Sequence, residues 1–192
     1  MSRNTISRSL NDVGLAAWFG GTLANAVALN PAAGESDSVH RTGAVANVGW
    51  DRWTPVNAAA IGMHLMGGAG LVAGNKSRLA GQRGVATTAL IKTALTGAAL
   101  GVTAYSRALG RKVSEQTDVA VQSGTEPAET TPPEVAAAQR QLRTLQWAVP
   151  ALTGALLVLD SFMGEQQRPQ SVARGVVDRL TPDALTDRLP NR

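Results

Sequence analysis

The chain has 192 residues, of which 44% are apolar, 17% are charged and none is cysteine. The lack of cysteine excludes disulfide scaffolds, thiolate metal sites and cysteine nucleophiles, and the low charge excludes an intrinsically disordered chain. The net charge of +4 suits either nucleic acid or an anionic membrane surface. The basic residues fall between apolar stretches rather than in one stripe, which favours the membrane.

Four apolar stretches rich in small residues are each long enough to cross a bilayer as a helix, at residues 13–29, 55–73, 85–105 and 145–163. A soluble alanine-rich bundle is the alternative, but its helices would carry a charged face. The four stretches together hold only one Lys and one Asp. The sequence therefore predicts an all-α, four-helix transmembrane bundle. A signal peptide is the alternative interpretation of the first stretch.

The bundle is predicted to occupy residues 1–168. A basic cytoplasmic tail follows at residues 169–192 and includes a short helix at residues 183–188. The first connection, residues 34–49, is polar and is predicted as a loop. The third, residues 114–131, is acidic and holds Pro and Thr, which is typical of a flexible loop.

Threonine–proline pairs mark the predicted starts of two helices. Thr54 precedes Pro55 and Thr131 precedes Pro132, an order in which the threonine caps the helix and the proline takes its first position. Pro150 lies inside the fourth stretch, where the missing amide hydrogen predicts a kink or one loosened turn.

The charges predict an orientation in the plasma membrane with both termini in the cytoplasm. Basic residues cluster in the N-terminal segment, the second connection and the C-terminal tail: Arg3, Arg8, Lys76, Arg78, Arg83, Arg168, Arg174, Arg179 and Arg188. Aromatic residues gather at helix ends on the opposite side, which agrees with half of an aromatic belt: Trp50, Trp53, Tyr105 and Trp147.

Ionisable side chains within the spans are the first candidate functional residues, because a charge inside a bilayer is costly. Lys92 and Asp160 are predicted at similar depth on the cytoplasmic side, where they can pair, and Asp12 can join them. This cluster would serve as an ion or proton relay, or as a site for an anionic head group. A purely structural ion pair, or Lys92 reaching toward the interface, is the alternative.

His64 and two asparagines are the remaining polar candidates. His64 is predicted to hydrogen-bond between helices, with a proton or quinone site as the alternative. Asn25 and Asn57 lie toward the outer side, where they can join helices or line a pocket that opens outward. No second histidine lies within the spans, so the sequence predicts no haem, no metal site and no other cofactor.

Two small-xxx-small patterns, Gly70 to Gly74 and Gly97 to Gly101, allow helix backbones to approach closely. They predict internal packing of the bundle first and oligomerisation second. No catalytic motif is present in the sequence, so we expect a protein that is not an enzyme.

Residues 9–33, 49–71 and 132–159 resemble a family of actinobacterial membrane proteins with four spans. A fainter similarity, in the Gly-Gly pair of the first helix, is to the DoxX-like and TMEM205-like four-helix membrane proteins. The resemblance implies four spans in the plasma membrane and no particular activity.

Three hypotheses for function follow. The first is a non-enzymatic membrane accessory, scaffold or subunit, and the second is a small transporter or a lipid- or quinone-binding protein with a polar interior. The third is the soluble bundle. The expected partners are the lipid bilayer and, beyond it, other membrane proteins or a second copy. Nucleic acid is not expected, because the basic tail lacks interleaved aromatic residues.

Overall fold

The computed structural model describes residues 4–81, 84–116 and 119–165, and these ranges are almost entirely helical. The helices are α1 (Thr5–Ala24), α2 (Asn30–Gly34), α3 (Val39–Gly74), α4 (Lys76–Gly81), α5 (Val85–Ser114) and α6 (Pro133–Glu165). A π turn, Asn25–Leu29, joins α1 to α2 as one rod. The predicted all-α bundle is confirmed. The predicted tail and its short helix lie outside the described residues.

Four of these rods are long and apolar enough to cross a membrane: Thr5–Gly34, α3, α5 and α6. Their apolar windows point largely outward, since no more than 33% of any window is buried inside the protein. Leu90 on α5 and Val158 on α6, for example, are 70% and 72% exposed. Contiguous apolar surface of this kind is typical of helices that face lipid.

The four rods form an open arc rather than a closed ring. α1 packs along α3 on one side and along α6 on the other, and α5 packs along α6. Contact between α3 and α5, the two ends of the arc, is sparse. A cleft therefore runs between α3 and α5.

The centre of the arc is a small apolar core around Trp18, Leu15 and Leu156, none of which is exposed. Here α1 and α3 touch through their backbones. A Cβ on Gly14 would lie 2.5 Å from the carbonyl oxygen of Ala60, and one on Gly67 would collide with the backbone of α1. Glycine at these positions is what permits the close approach.

The two small-xxx-small patterns differ in their surroundings. Gly70 and Gly74 face the side chains of Ser7 and Asn4 on α1, so this pattern packs inside the bundle, as predicted. Gly97 and Gly101 have no atom within 4 Å of a Cβ position. The prediction of internal packing is wrong for this second pattern, because no other helix packs against either glycine among the described residues.

Helix α3 begins well before its predicted start. Ser38 caps it by accepting a hydrogen bond from the amide of His40, so most of the predicted polar loop at residues 34–49 is helical. Thr54 does not cap; its hydroxyl donates to the carbonyl of Trp50 within the helix. Burial of α3 residues N-terminal to Pro55 holds the helix together even though Pro55 has no amide hydrogen to donate.

Helix α6 begins where predicted but with a different cap. The carbonyl of Pro132 accepts from the amide of Ala136. The hydroxyl of Thr131 instead accepts from the amide of Ala128 and donates to the carbonyl of Ala120. Pro150 lies inside α6 and is buried.

The described part of the third connection is more structured than its composition predicts. The amide of Val121 donates to the carbonyl of Val39, and that of Gly124 donates to the carbonyl of Asn30. The side chain of Val121 is buried, and it forms an isolated antiparallel bridge with Pro127. This segment therefore covers the ends of α2 and α3.

Candidate functional site

A cavity of about 660 Å³ lies in the cleft between α3 and α5, at the end of the bundle where α1 begins and α6 ends. We call it the inner cavity. Leu65 and Val72 of α3 and Leu100 of α5 are among its apolar lining residues. The following ionisable and amide side chains also line it: Arg8, Asn11, Asp12, His64, Asn75, Arg78, Lys92 and Asp160.

The predicted pairing of Lys92 with Asp160 is present in the wall of this cavity. Nζ of Lys92 lies 2.5 Å from Oδ1 of Asp160, and the two side chains are only 13% and 16% exposed. At 1.5 Å of rise per residue, Lys92 lies about 10 Å from the start of α5 and Asp160 lies about 8 Å from the end of α6. At this depth each charge stabilises the other, because a buried charge without a partner would destabilise the fold by its full desolvation penalty.

Asn11 of α1 joins the two charges into a ring. Its Oδ1 accepts from Nζ of Lys92 at 3.0 Å, and its Nδ2 donates to Oδ2 of Asp160 at 2.9 Å. Its side chain is almost fully buried. One amide thus connects α1, α5 and α6, and it satisfies the charged groups on both sides.

Sequence reasoning missed Asn11 and favoured its neighbour. Asp12 accepts a hydrogen bond from Nδ2 of Asn11 at 3.0 Å, but among the described residues it forms no hydrogen bond or ion pair with Lys92 or Asp160. The predicted first span began at residue 13, which placed Asn11 before the helix. Because α1 begins at Thr5, Asn11 lies inside the helix, where its side chain can face α5 and α6.

His64 connects α3 to the same position on α1. Its Nδ1 donates to the backbone carbonyl of Asn11 at 3.2 Å, and the ring is 2% exposed. A carbonyl oxygen only accepts, so this bond places the hydrogen on Nδ1 and leaves Nε2 as the acceptor. The ring of Trp18 packs nearby, with centroids 6.3 Å apart. The structure thus agrees with the predicted interhelical hydrogen bond.

Among the described residues that line the inner cavity, cationic side chains outnumber carboxylates. Three cationic side chains, Arg8, Arg78 and Lys92, line it against two carboxylates, Asp12 and Asp160. Arg78 lies in α4, outside the apolar spans, and partial burial together with the nearby charge of Arg8 holds its pKa below the usual value.

The structure does not bring Asn25 or Asn57 to this cluster. Asn25 lies in the π turn and Asn57 lies near the middle of α3. Nδ2 of Asn25 and Oδ1 of Asn57 are buried and have no hydrogen-bond partner within the described ranges. A bond between helices through these atoms is therefore not seen. Asn57 instead lines a second cavity, of about 360 Å³, at the opposite end of the cleft.

Among residues 4–81, 84–116 and 119–165, no group of three or more His, Asp or Glu side chains is placed to hold a metal ion.

Comparison with family models, with curated proteins and with solved structures gives no match. The resemblance to a four-span family therefore stays a prediction, and function has to be argued from the cleft itself.

Proposed function

We propose that this chain is an integral membrane protein that binds an amphiphile with an acidic head group in the inner cavity. The observation that carries the proposal is the ring of Lys92, Asp160 and Asn11 in the wall of a cavity of about 660 Å³. The protein acts by binding rather than by catalysis. It lies in the plasma membrane with both termini in the cytoplasm, so the inner cavity opens on that side.

Lys92 retains hydrogen-bonding capacity for a ligand. An ammonium group has three N–H donors, and Nζ of Lys92 uses two acceptors, Oδ1 of Asn11 and Oδ1 of Asp160. No third acceptor for Nζ lies within residues 4–81, 84–116 and 119–165, so its third N–H can donate to a phosphate or carboxylate oxygen in the cavity. Arg8 and Arg78 supply further positive charge at the same end of the cleft.

The rest of the cavity suits an apolar chain. Leu65, Val72, Leu100 and Leu157 contribute aliphatic wall, and the sparse contact between α3 and α5 leaves the cleft open on one side. A ligand can therefore place its head group at the ring while its chain lies along apolar side chains or in the surrounding lipid. Pockets with mostly apolar walls and a few convergent polar groups are typical of ligand sites.

The alternative is an accessory or scaffold protein in which the ion pair only fastens three helices together. Both hypotheses predict that loss of one partner of the pair destabilises the protein, so stability alone does not separate them. Dependence of ligand binding on the two charges does, provided that the variant remains folded.

The experiment uses detergent-purified protein and thermal unfolding with dihexanoyl phosphatidic acid or dihexanoyl phosphatidylcholine. We expect phosphatidic acid to raise the Tm more, because a ligand that binds only the folded state stabilises it. In Lys92→Met/Asp160→Leu, which leaves no lone charge, we expect the apparent affinity to fall by about tenfold or more, since charge-assisted hydrogen bonds are worth about 1.5–3 kcal/mol.

Lys76→Met is the matched control. It removes a lysine charge from the same end of the bundle, but Lys76 is exposed and does not line the cavity. It should bind phosphatidic acid as the unchanged protein does. Equal stabilisation by both lipids, or full binding by the double variant, would refute the proposed site.

A further inference from the structure

The cavity at the other end of the cleft, which we call the outer cavity, is built from the same two helices. α3 contributes Trp53 and Asn57, and α5 contributes Thr103 and Ser106. The Arg107–Asp51 ion pair, 3.2 Å long and well exposed, joins α5 to α3 at this end. Each end of the cleft thus combines charged residues with a polar recess.

The two cavities follow one stripe along each helix. On α5 the lining residues recur every three or four positions, at Ala89, Thr93, Thr96, Leu100, Thr103, Arg107 and Gly110. That spacing keeps side chains on one face of a helix. On α3 the lining likewise continues from His64 to Ile61, Asn57 and Thr54. Leu100 borders both cavities, so they are successive parts of one groove.

Polar side chains line the groove within the spans, where side chains that face lipid are usually apolar. Thr93 and Thr96 lie beyond Lys92 in the inner cavity. In the outer cavity four lining residues have a buried polar atom without a hydrogen-bond partner in the described part of the chain: Trp53 Nε1, Asn57 Oδ1, Thr103 Oγ1 and Ser106 Oγ. Such atoms are costly unless water or a ligand reaches them when the side chains turn.

The middle of the groove is lined by apolar side chains. Ile61 faces the outer cavity, and Leu100 lies where the two cavities meet. Polar lining residues lie on both sides of this pair, Thr96 toward the inner end and Thr103 toward the outer end. A head group that entered from either end would be slowed here, since it would lose its polar partners at this level.

The groove is also open along its length. α3 and α5 make only sparse contact, and Gly97 on α5 has open space at its Cβ position. A phospholipid can therefore keep its acyl chains in the bilayer while its phosphate contacts the groove. This lateral opening distinguishes the cleft from a closed pore, in which chains and head group would have to pass together.

We infer that the groove between α3 and α5 lets the head group of a phospholipid cross between the two leaflets, past an apolar segment of its lining at Ile61 and Leu100. The inference rests on the proposed function, because the inner cavity is where the phosphate first binds. It adds the outer cavity as a second site that binds the phosphate, and it assigns the rate to the apolar segment at Ile61 and Leu100, where the head group loses its polar partners.

The test uses phosphatidylcholine vesicles that contain the protein and a trace of phosphatidylglycerol with a fluorescent group on its acyl chain. A membrane-impermeant reductant bleaches only lipid that reaches the outer leaflet. We expect bleaching to proceed beyond the outer-leaflet fraction seen in protein-free vesicles. Leu100→Ser should raise the rate by about tenfold, and Leu100→Trp should lower it by a similar factor, through the height of the barrier.

Leu90→Ser is the matched control, because Leu90 lies on the same helix, is 70% exposed and lines neither cavity. Its rate should equal that of the unchanged protein. Bleaching at the protein-free level, or equal effects of the Leu90 and Leu100 variants, would overturn the inference. Binding of phosphatidic acid is measured on the same preparation. Binding without movement of lipid between the leaflets refutes only the proposed crossing, whereas the absence of both binding and movement also refutes the proposed binding site.

Discussion

Lys92→Met is expected to destabilise the protein by about 3 kcal/mol, because it leaves the carboxylate of Asp160 buried without its counter-ion. Asn11 cannot replace the lost charge, since its amide donates only one neutral hydrogen bond to that carboxylate. Asp160→Leu should be similarly damaging from the other side. Unfolding in mixed detergent micelles, followed by circular dichroism, measures the loss.

The double variant Lys92→Met/Asp160→Leu should recover part of the stability, because it removes the desolvation penalty of both charges, whereas the buried amide of Asn11 still loses its two charged partners. Arg107→Met is a control for the loss of any ion pair. It breaks the pair with Asp51, whose side chain is 65% exposed, so we expect less than about 1 kcal/mol. Equal effects of Lys92→Met and Arg107→Met would show that the inner pair is solvated, contrary to this account.

Gly67→Ala is expected to destabilise the protein by about 2–3 kcal/mol, because the added Cβ would collide with the backbone amide of Asn11 and push α1 away from α3. Neither partner can yield, since both belong to helix backbones. The same displacement would pull Asn11 out of the charged ring. We therefore expect the variant to lose phosphatidic acid binding together with stability.

Gly101→Ala is the matched control, also a glycine within an apolar helix, but with no atom within 4 Å of the new Cβ. We expect no loss of stability, and a gain of up to about 1 kcal/mol from the better helix propensity of alanine. The comparison uses the same unfolding assay. A loss at Gly101 as large as that at Gly67 would contradict the open face of α5 and would indicate that a second chain packs there.

The sequence was sufficient for the features that depend on local composition. Length and apolar content predicted four long helices, and the rarity of charge within the spans made Lys92 and Asp160 conspicuous. Their contact could be predicted from their positions along the helices. Lys92 lies near the start of α5 and Asp160 lies near the end of α6, and consecutive spans run in opposite directions, so the two residues have similar depth. These inferences need only the rise of a helix and the cost of an unpaired charge.

Features that depend on which helices touch were not predictable in this way. Gly70 and Gly97 head the same pattern, yet only the first meets another helix. The cleft exists because α3 and α5 end the arc, and sequence spacing does not encode that order. Thr54 satisfied a local capping rule, but packing of the segment before it extended α3 and overrode the rule.

The central claim, a membrane-embedded bundle whose inner cavity admits solutes, is tested most directly by cysteine labelling, since the chain has no cysteine of its own. Thr96→Cys places a thiol in the inner cavity, and Ala98→Cys places one at nearly the same depth on the exposed outer face of α5. The measurement is labelling of each variant by a charged, membrane-impermeant thiol reagent in carbonate-washed, inside-out membranes. We predict that both variants stay in the membrane, that the thiol at position 96 reacts, and that the thiol at position 98 reacts only after detergent is added. Release by carbonate, or equal labelling of the two positions, would contradict the account.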